Sequence, residues 1–203
     1  MRKIMQVRKI YEKYIAMTVG SIKLYTFSMR VKDLVKISYV SVRGRDEEEG
    51  AAQRVLNKKR ISSIKKYILD GNMFVNTFVI NWNDEKYMPE ISDFEIEIPL
   101  VDSVAQLIDG QHRLEGLKEA LKADDSISEK RIMVSMVIGL KTKDAAKIFI
   151  NINSEQKPVP KSLIFDLYGV TDDDKNFAII RSDDIAKELN ENVDSPYYNL
   201  IKY

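Results

Sequence analysis

The residues best suited to chemistry lie in one short stretch, Asp109-Gly110-Gln111-His112-Arg113. It contains the one histidine of the chain, and histidine is the side chain that most readily gains or loses a proton near neutral pH. The same stretch carries a carboxylate, an amide and a guanidinium, whose planar fork suits bidentate binding of phosphate or carboxylate. Together these side-chain types predict a binding site for an anion.

This stretch is predicted to connect a buried strand to an amphipathic helix. Apolar residues precede it, and apolar residues follow it at the i, i+3 and i+7 positions of a helix. They are Val104, Leu107 and Ile108 before it and Leu114, Leu117 and Leu121 after it. Asp109 then stands at the expected helix N-cap, and Gly110 permits a tight turn. Because a helix start has unpaired N–H groups and a partial positive charge, such a turn can bind an anion.

The carboxylate of Asp109 does not suit a bare phosphate site. It would repel the anion unless it caps the helix, orients His112 or contacts a cation such as Mg²⁺. A structural interpretation also stands, because an Asp-Gly pair before an amphipathic helix often forms only a cap and a turn. The residue types alone leave both interpretations open.

Residues 109–113, followed by Leu-Glu-Gly-Leu, resemble the signature motif of the DGQHR-domain family and are called the signature below. This family includes the DndB proteins of bacterial DNA phosphorothioation systems. Residues 60–68 and 74–80 are similar to the helix and strand that precede the motif in this family. Residues 149–159 resemble its downstream element, so the likeness spans residues 40–200 approximately. The family in turn resembles the ParB/sulfiredoxin-like fold, in which a related turn lies against a nucleotide or phosphate.

This resemblance implies an α/β (α+β) fold, a ParB/sulfiredoxin-like mixed sheet flanked by helices. Residues 1–203 are expected to form a single domain with a helical extension from about residue 160. The chain is expected to be shorter than the longer family members. The implied function is a DNA-binding regulator of a phosphorothioation-type or defence system with a phosphate or nucleotide pocket at the signature turn. A ParB-like nucleotide hydrolase or nuclease using the same site is the alternative, and an interaction module with a vestigial pocket is a third.

The resemblance also implies roles for individual residues. Arg113 and the helix start would bind phosphate, His112 would act as acid or base, and Asp109 would orient His112 or hold a metal, which makes these three the catalytic candidates. The candidates for binding phosphate or nucleotide are Gly110, Gln111, Arg113, Asn151, Asn153, Gln156 and Arg60. The cofactor stays undetermined, with a nucleoside triphosphate and Mg²⁺ as the candidate. The expected partners are DNA and other proteins of the modification system.

The downstream candidates lie at the end of a predicted helix, residues 143–152. Its apolar stripe, extended by four residues, reaches Gln156, where a core residue would be apolar. Pro158 disfavours continuation of the helix past Lys157. Helix C-capping by Asn153 is the structural alternative to a role in the pocket. The stripe consists of Ala145, Ile148, Phe149 and Ile152.

Composition narrows the function classes. The chain has 203 residues, 44% of them hydrophobic, which is enough for the core of one domain. It has no cysteine, so disulfides, thiol nucleophiles and cysteine-based zinc sites are excluded, and a single histidine argues against a protein-built zinc site. A formal net charge of +1 argues neither for nor against nucleic acid. No apolar run approaches the roughly 20 residues of a membrane span, so the expected location is the cytoplasm.

The remaining elements are predicted from periodicity and turn residues. A helix ending near residue 68, capped at its start by Asp46, has a basic exterior that either faces solvent or binds nucleic acid. Residues 94–100 alternate as an edge strand and are expected to form a hairpin with residues 104–108. The other predicted elements are strands at 15–27, 74–82 and 132–140, a short helix near 31–35, and helices within 161–190.

Overall fold

The computed structural model describes residues 7–40, 56–154 and 177–201. The chain divides into two compact units, residues 1–153 and 154–203. Among the described residues, the second unit contributes one helix, α5, spanning Phe177–Glu191. No described helix is long and apolar enough to cross a membrane.

The first unit mixes strands and helices along the chain. Its strands are β1 (Lys9–Lys13), β2 (Ile15–Val19), β3 (Ile22–Arg30), β4 (Ser38–Tyr39), β5 (Phe78–Trp82), β6 (Glu90–Ile91), β7 (Glu95–Pro99), β8 (Ala105–Asp109) and β9 (Arg131–Ile138). Its helices are α1 (Val31–Ile37), α2 (Lys58–Leu69), α3 (Gln111–Leu121) and α4 (Thr142–Ser154), with a 3-10 helix at Asp125–Glu129.

Six strands form a mixed sheet in the order β2-β3-β9-β5-β8-β4. Strand β5 runs parallel to β9 and antiparallel to β8, while β4 runs parallel to β8. A separate antiparallel sheet has the order β1-β7-β6. The predicted α/β class with a mixed sheet and flanking helices is therefore confirmed.

Side chains alternate between the two faces of the six-stranded sheet, as strand geometry requires. On β5, Phe78, Ile80 and Trp82 belong to the larger hydrophobic core, whereas Val79 packs with a smaller one. Helix α3 contributes to the larger core and helix α4 to the smaller one. The helix of the signature thus lies on one face of the sheet and α4 on the other. The α3 residues are Leu114, Leu117 and Ala120, and the α4 residues are Ala145, Ile148 and Phe149.

The predicted hairpin before the signature is wrong. Strand β7 pairs on both sides, with β1 and β6, so it is the centre of the small sheet and not an edge. Strand β8 lies in the other sheet, between β5 and β4. Alternation within a strand predicts which side chains are buried, but it does not specify the neighbouring strand, because pairing depends on residues distant in sequence.

Other boundaries also differ from the sequence predictions. The strand expected at 15–27 is two strands joined at Gly20, whose φ of +62° is readily adopted by glycine. The strand expected at 74–82 begins only at Phe78. The proposed cap Asp46 lies outside the described residues, and α2 follows an N-cap at Asn57. The predicted helices α1, α3 and α4 and strand β9 are confirmed.

Candidate functional site

The signature turn is built around Gly110. Strand β8 ends at Asp109, and Gly110, with a φ of +106°, is the N-cap of α3, so the prediction of Asp109 as the N-cap is wrong. A Cβ on residue 110 would lie 2.7 Å from Cδ1 of Phe78. Glycine is required here for both its left-handed backbone and the space beside Phe78.

Arg113 points inward and binds three oxygen atoms of the protein itself. Its Nη1 donates to the carbonyl of Asn76 at 3.0 Å, and Nη2 donates to the carbonyl of Thr77 at 2.9 Å and to Oδ2 of Asp109 at 2.8 Å. Only 13% of its side chain is exposed. The guanidinium therefore joins the start of α3 to the segment before β5, a structural function that the sequence did not predict.

Aromatic rings complete the surroundings of this guanidinium. Its central carbon lies 4.4 Å from the ring centre of Phe78 and 5.8 Å from that of Phe74, within cation–π range. Burial lowers the pKa of Arg113, against the opposing effect of Asp109, and the positive charge of nearby Arg60 lowers it further. Two arginines thus lie close enough to interact at this corner of the protein.

His112 connects the starts of two helices. Its Nε2 accepts a hydrogen bond from the backbone N–H of Asn57 at 3.2 Å. Asn57 is the N-cap of α2, where its Oδ1 accepts from the N–H groups of Lys59 and Arg60. Because Nε2 is the acceptor, it carries no proton in this arrangement. The imidazole therefore links the capped start of α2 to the first turn of α3.

Helices α2 and α3 pack closely and run in the same direction. His112 meets Asn57 at their starts, and further along Gly116 faces Ile64, whose Cγ2 would lie 2.1 Å from a Cβ on residue 116. The contact at the helix starts is followed, toward the C-terminus of both helices, by the second contact. The two helices therefore run parallel, and their positive N-terminal ends lie side by side. Both helix starts therefore contribute partial positive charge near the signature turn.

Gln111 has a buried polar atom with no partner. The residue is 7% exposed, and its Oε1 accepts no hydrogen bond from the described residues. A buried acceptor without a donor costs free energy. Gln111 is thus the signature residue whose side chain the described structure leaves unsatisfied.

Replacing Gln111 with methionine is expected to raise the free energy of unfolding by about 1 kcal/mol, because the unsatisfied acceptor is removed at similar volume. Asn81→Leu is the matched control, since Asn81 is fully buried and both ends of its amide bond the backbone of Leu140. It is expected to lower that energy by about 2 kcal/mol. Urea unfolding measures both, and a destabilised Gln111→Met variant would mean that Oε1 has a partner such as water.

The remaining candidate binding residues are Arg60, Asn151, Asn153 and Gln156. Arg60 lies in the first turn of α2, next to Arg113. Asn151 is exposed on α4, and Asn153 donates its side-chain amide to the carbonyl of Phe149 at 2.7 Å. In the described part of the chain, no hydrogen bond joins either asparagine to the signature turn. Gln156 lies outside the described residues.

The donor set at the turn does not suit a directly bound metal. One carboxylate oxygen of Asp109 is bonded to Arg113. Within the described ranges, no three histidine or acidic residues cluster in a way that could hold a metal ion. The described residues therefore do not form a site in which three carboxylates or imidazoles of the protein hold a metal ion.

Sequence reasoning missed several residues that shape the site. The carbonyls of Asn76 and Thr77 bind Arg113, but backbone atoms have no sequence signal. Asn57 did have a sequence signal, because asparagine directly before a helical pattern is a favoured N-cap. The rings of Phe74 and Phe78 were assigned only to a strand.

The fold and site define an α/β protein in which two helix starts and two arginines form a positively charged corner beside a mixed sheet. Comparison with protein families matches residues 13–193 to the DndB family, described as DNA-sulfur modification-associated. The chain belongs to this family, which confirms the resemblance of its signature. No curated protein and no solved structure matches the chain. The relation to the ParB/sulfiredoxin-like fold stays a prediction.

Proposed function

We propose that this protein is a DNA-binding regulatory component of a DNA sulfur modification system. Family membership supports the link to DNA sulfur modification. The observation that carries the DNA-binding proposal is the charge of α2. Five of its twelve residues are lysine or arginine and none is acidic.

Four of the five basic residues of α2 are exposed. Lys58, Lys59, Arg60 and Lys66 are exposed, while Ile68 is buried. Among the described residues, no salt bridge involves these exposed cations. Two other lysines differ, since Lys122, the C-cap residue of α3, and Lys147 on α4 each lie within 3.0 Å of a carboxylate. Exposed cations along one helix are suited to DNA phosphates, whose binding releases counterions.

The signature turn contacts the start of α2, the helix that carries this surface. A phosphate at the start of α2 would meet the guanidinium of Arg60 and the positive ends of both helices. Arg113 then acts as a positioning residue, because its described hydrogen bonds are made to the protein itself. His112 maintains the alignment of the helix starts through Asn57. This division of roles supports a phosphate contact at α2, for which the alternative is a basic helix that only faces solvent.

The hydrolase or nuclease alternative has no comparable observation in its favour. Nε2 of His112 accepts a backbone hydrogen bond, and Arg113 is bonded to three protein oxygens. The described hydrogen bonds of both groups are therefore made to the protein itself. Of the predicted phosphate or nucleotide pocket, the proposal keeps a phosphate contact at the α2 start.

Neutralising two exposed lysines, Lys59→Gln with Lys66→Gln, is expected to weaken duplex DNA binding. The logarithmic slope of affinity against salt should fall by about 2, one for each lost phosphate contact. Lys122→Gln removes one exposed lysine paired with Glu119 and should change neither quantity. Fluorescence anisotropy with a labelled duplex across a salt series provides the measurement. Duplex binding that is absent, insensitive to salt, or equally weakened by the control would reject duplex binding through α2.

A further inference from the structure

A row of aromatic rings leads from the buried arginine of the signature to the surface of α2. Phe78 contacts the guanidinium of Arg113, and Phe74 packs edge-on against Phe78 with 6.0 Å between ring centres. Tyr67 then stacks on Phe74, at 6.0 Å and an interplanar angle of 27°. Tyr67 is 45% exposed, so the row ends in an aromatic side chain at the surface.

The orientation of Tyr67 is set by the loop that follows α2. Its hydroxyl donates to the carbonyl of Met73 at 3.2 Å. Its own carbonyl accepts from the backbone N–H and the side-chain amide of Asn72, both at 3.2 Å. The ring is thus held by Phe74 on one side and by this loop, so little conformational entropy is lost when a ligand contacts it.

Tyr67 belongs to the same helix face as the exposed lysines. Five of the eight exposed positions of α2 recur at i, i+3, i+4, i+7 and i+8, which places these five on one side of the helix. They are Lys59, Ser62, Ser63, Lys66 and Tyr67. This face combines positive charge, short hydroxyl side chains and one exposed aromatic ring.

We propose that this face binds single-stranded DNA, with an unpaired base stacked on Tyr67 and phosphates beside Lys59 and Lys66. The inference rests on the proposed function, which makes DNA the ligand. In a duplex, each base is stacked between its neighbours, and phosphate contacts alone would leave the ring unused. An unpaired base has a free π-face, and basic surfaces with aromatic platforms are typical of proteins that bind single strands.

The test compares three substitutions of Tyr67 with one control. Tyr67→Ala should weaken binding of a labelled single-stranded deoxythymidine oligomer about 10-fold, the loss expected for one stacked base. Duplex affinity and the salt slope should stay within twofold of wild type. Tyr67→Phe should bind like wild type, because it keeps the ring and loses only the bond to Met73. Tyr11→Ala removes a tyrosine that is 56% exposed on β1 and should have no effect.

A second readout does not depend on the alanine variant folding. In Tyr67→Trp, the new indole should be quenched when the single strand binds, since a base stacks on it. Trp82, the one natural tryptophan, is fully buried and should not respond. Absence of quenching at saturating single strand would contradict stacking at this position.

The outcomes separate this inference from the proposed function. If Tyr67→Ala binds single strands normally while the double lysine variant is weakened, the stacking site is rejected and DNA binding stands. If Tyr67→Phe loses as much affinity as Tyr67→Ala, the tyrosine acts through the loop and the stacking proposal fails. If neither single-stranded nor duplex DNA binds in a salt-dependent way, the proposed function itself fails.

Discussion

Replacing Arg113 with alanine is expected to lower the free energy of unfolding by about 3–5 kcal/mol, because the carboxylate of Asp109 and two backbone carbonyls lose a buried charged donor. Domains are stable by only about 5–15 kcal/mol, so this loss would threaten folding. Arg113→Lys should recover only part of it, since an ammonium cannot reproduce the planar fork. Urea unfolding followed by circular dichroism measures the difference.

Arg60→Ala is the matched control for this prediction. Arg60 lies near Arg113 but is exposed, so its removal should change stability by about 0.5 kcal/mol or less while weakening DNA binding. The Arg113 variant is thus expected to report on positioning through its stability, and the Arg60 variant on ligand contact through its DNA affinity. An Arg113→Lys variant with normal stability and lost DNA affinity would show instead that Arg113 contacts the ligand directly.

Replacing Gly116 with alanine is expected to destabilise the protein by about 1–3 kcal/mol, the range for overpacking. Alanine normally stabilises a helix relative to glycine by about 1 kcal/mol, so the sign is reversed here. The reason is steric: the new methyl would lie 2.1 Å from Cγ2 and 2.9 Å from Cβ of Ile64. Either α2 or Ile64 must move, and both belong to the packing that aligns the helix starts.

A double-mutant cycle tests this cause. Ile64→Ala removes Cγ2, so Gly116→Ala should cost less in that background than in wild type. Equal costs in both backgrounds would mean that the clash lies elsewhere. A stabilised Gly116→Ala variant would contradict the close packing of α2 on α3. DNA anisotropy on the folded variants then reports whether separating the helices also weakens binding.

Much of the local structure was predictable because its causes are local. Apolar residues at i, i+3 and i+7 predict α3 whatever it packs against, and the buried face of α4 follows from the same periodicity. The signature motif was sufficient to identify the family, which the match over residues 13–193 confirms. The turn at Gly110 was also predictable, although the exact N-cap position shifted by one residue.

The partners of the site residues were not predictable. Arg113 binds carbonyls 36 and 37 residues earlier in the chain, and His112 accepts a bond from an N–H 55 residues earlier. An arginine on the first turn of a helix has the same neighbours in sequence whether its guanidinium faces a phosphate or a backbone carbonyl. The direction of such a side chain is decided by what the fold brings beside it.

The amino-acid sequence by itself determined the family, the helix and strand periods and the glycine on which the turn depends, because each is a property of residues close together in the chain. Only the tertiary structure decided that β8 lies between β5 and β4, that α2 and α3 start side by side, and that Arg113 points inward. These features depend on contacts between distant segments, whose free energies are set by packing and burial. The basic exterior of α2 was a candidate for binding nucleic acid from the sequence, and the structure added the exposed, stacked ring of Tyr67 beside its lysines.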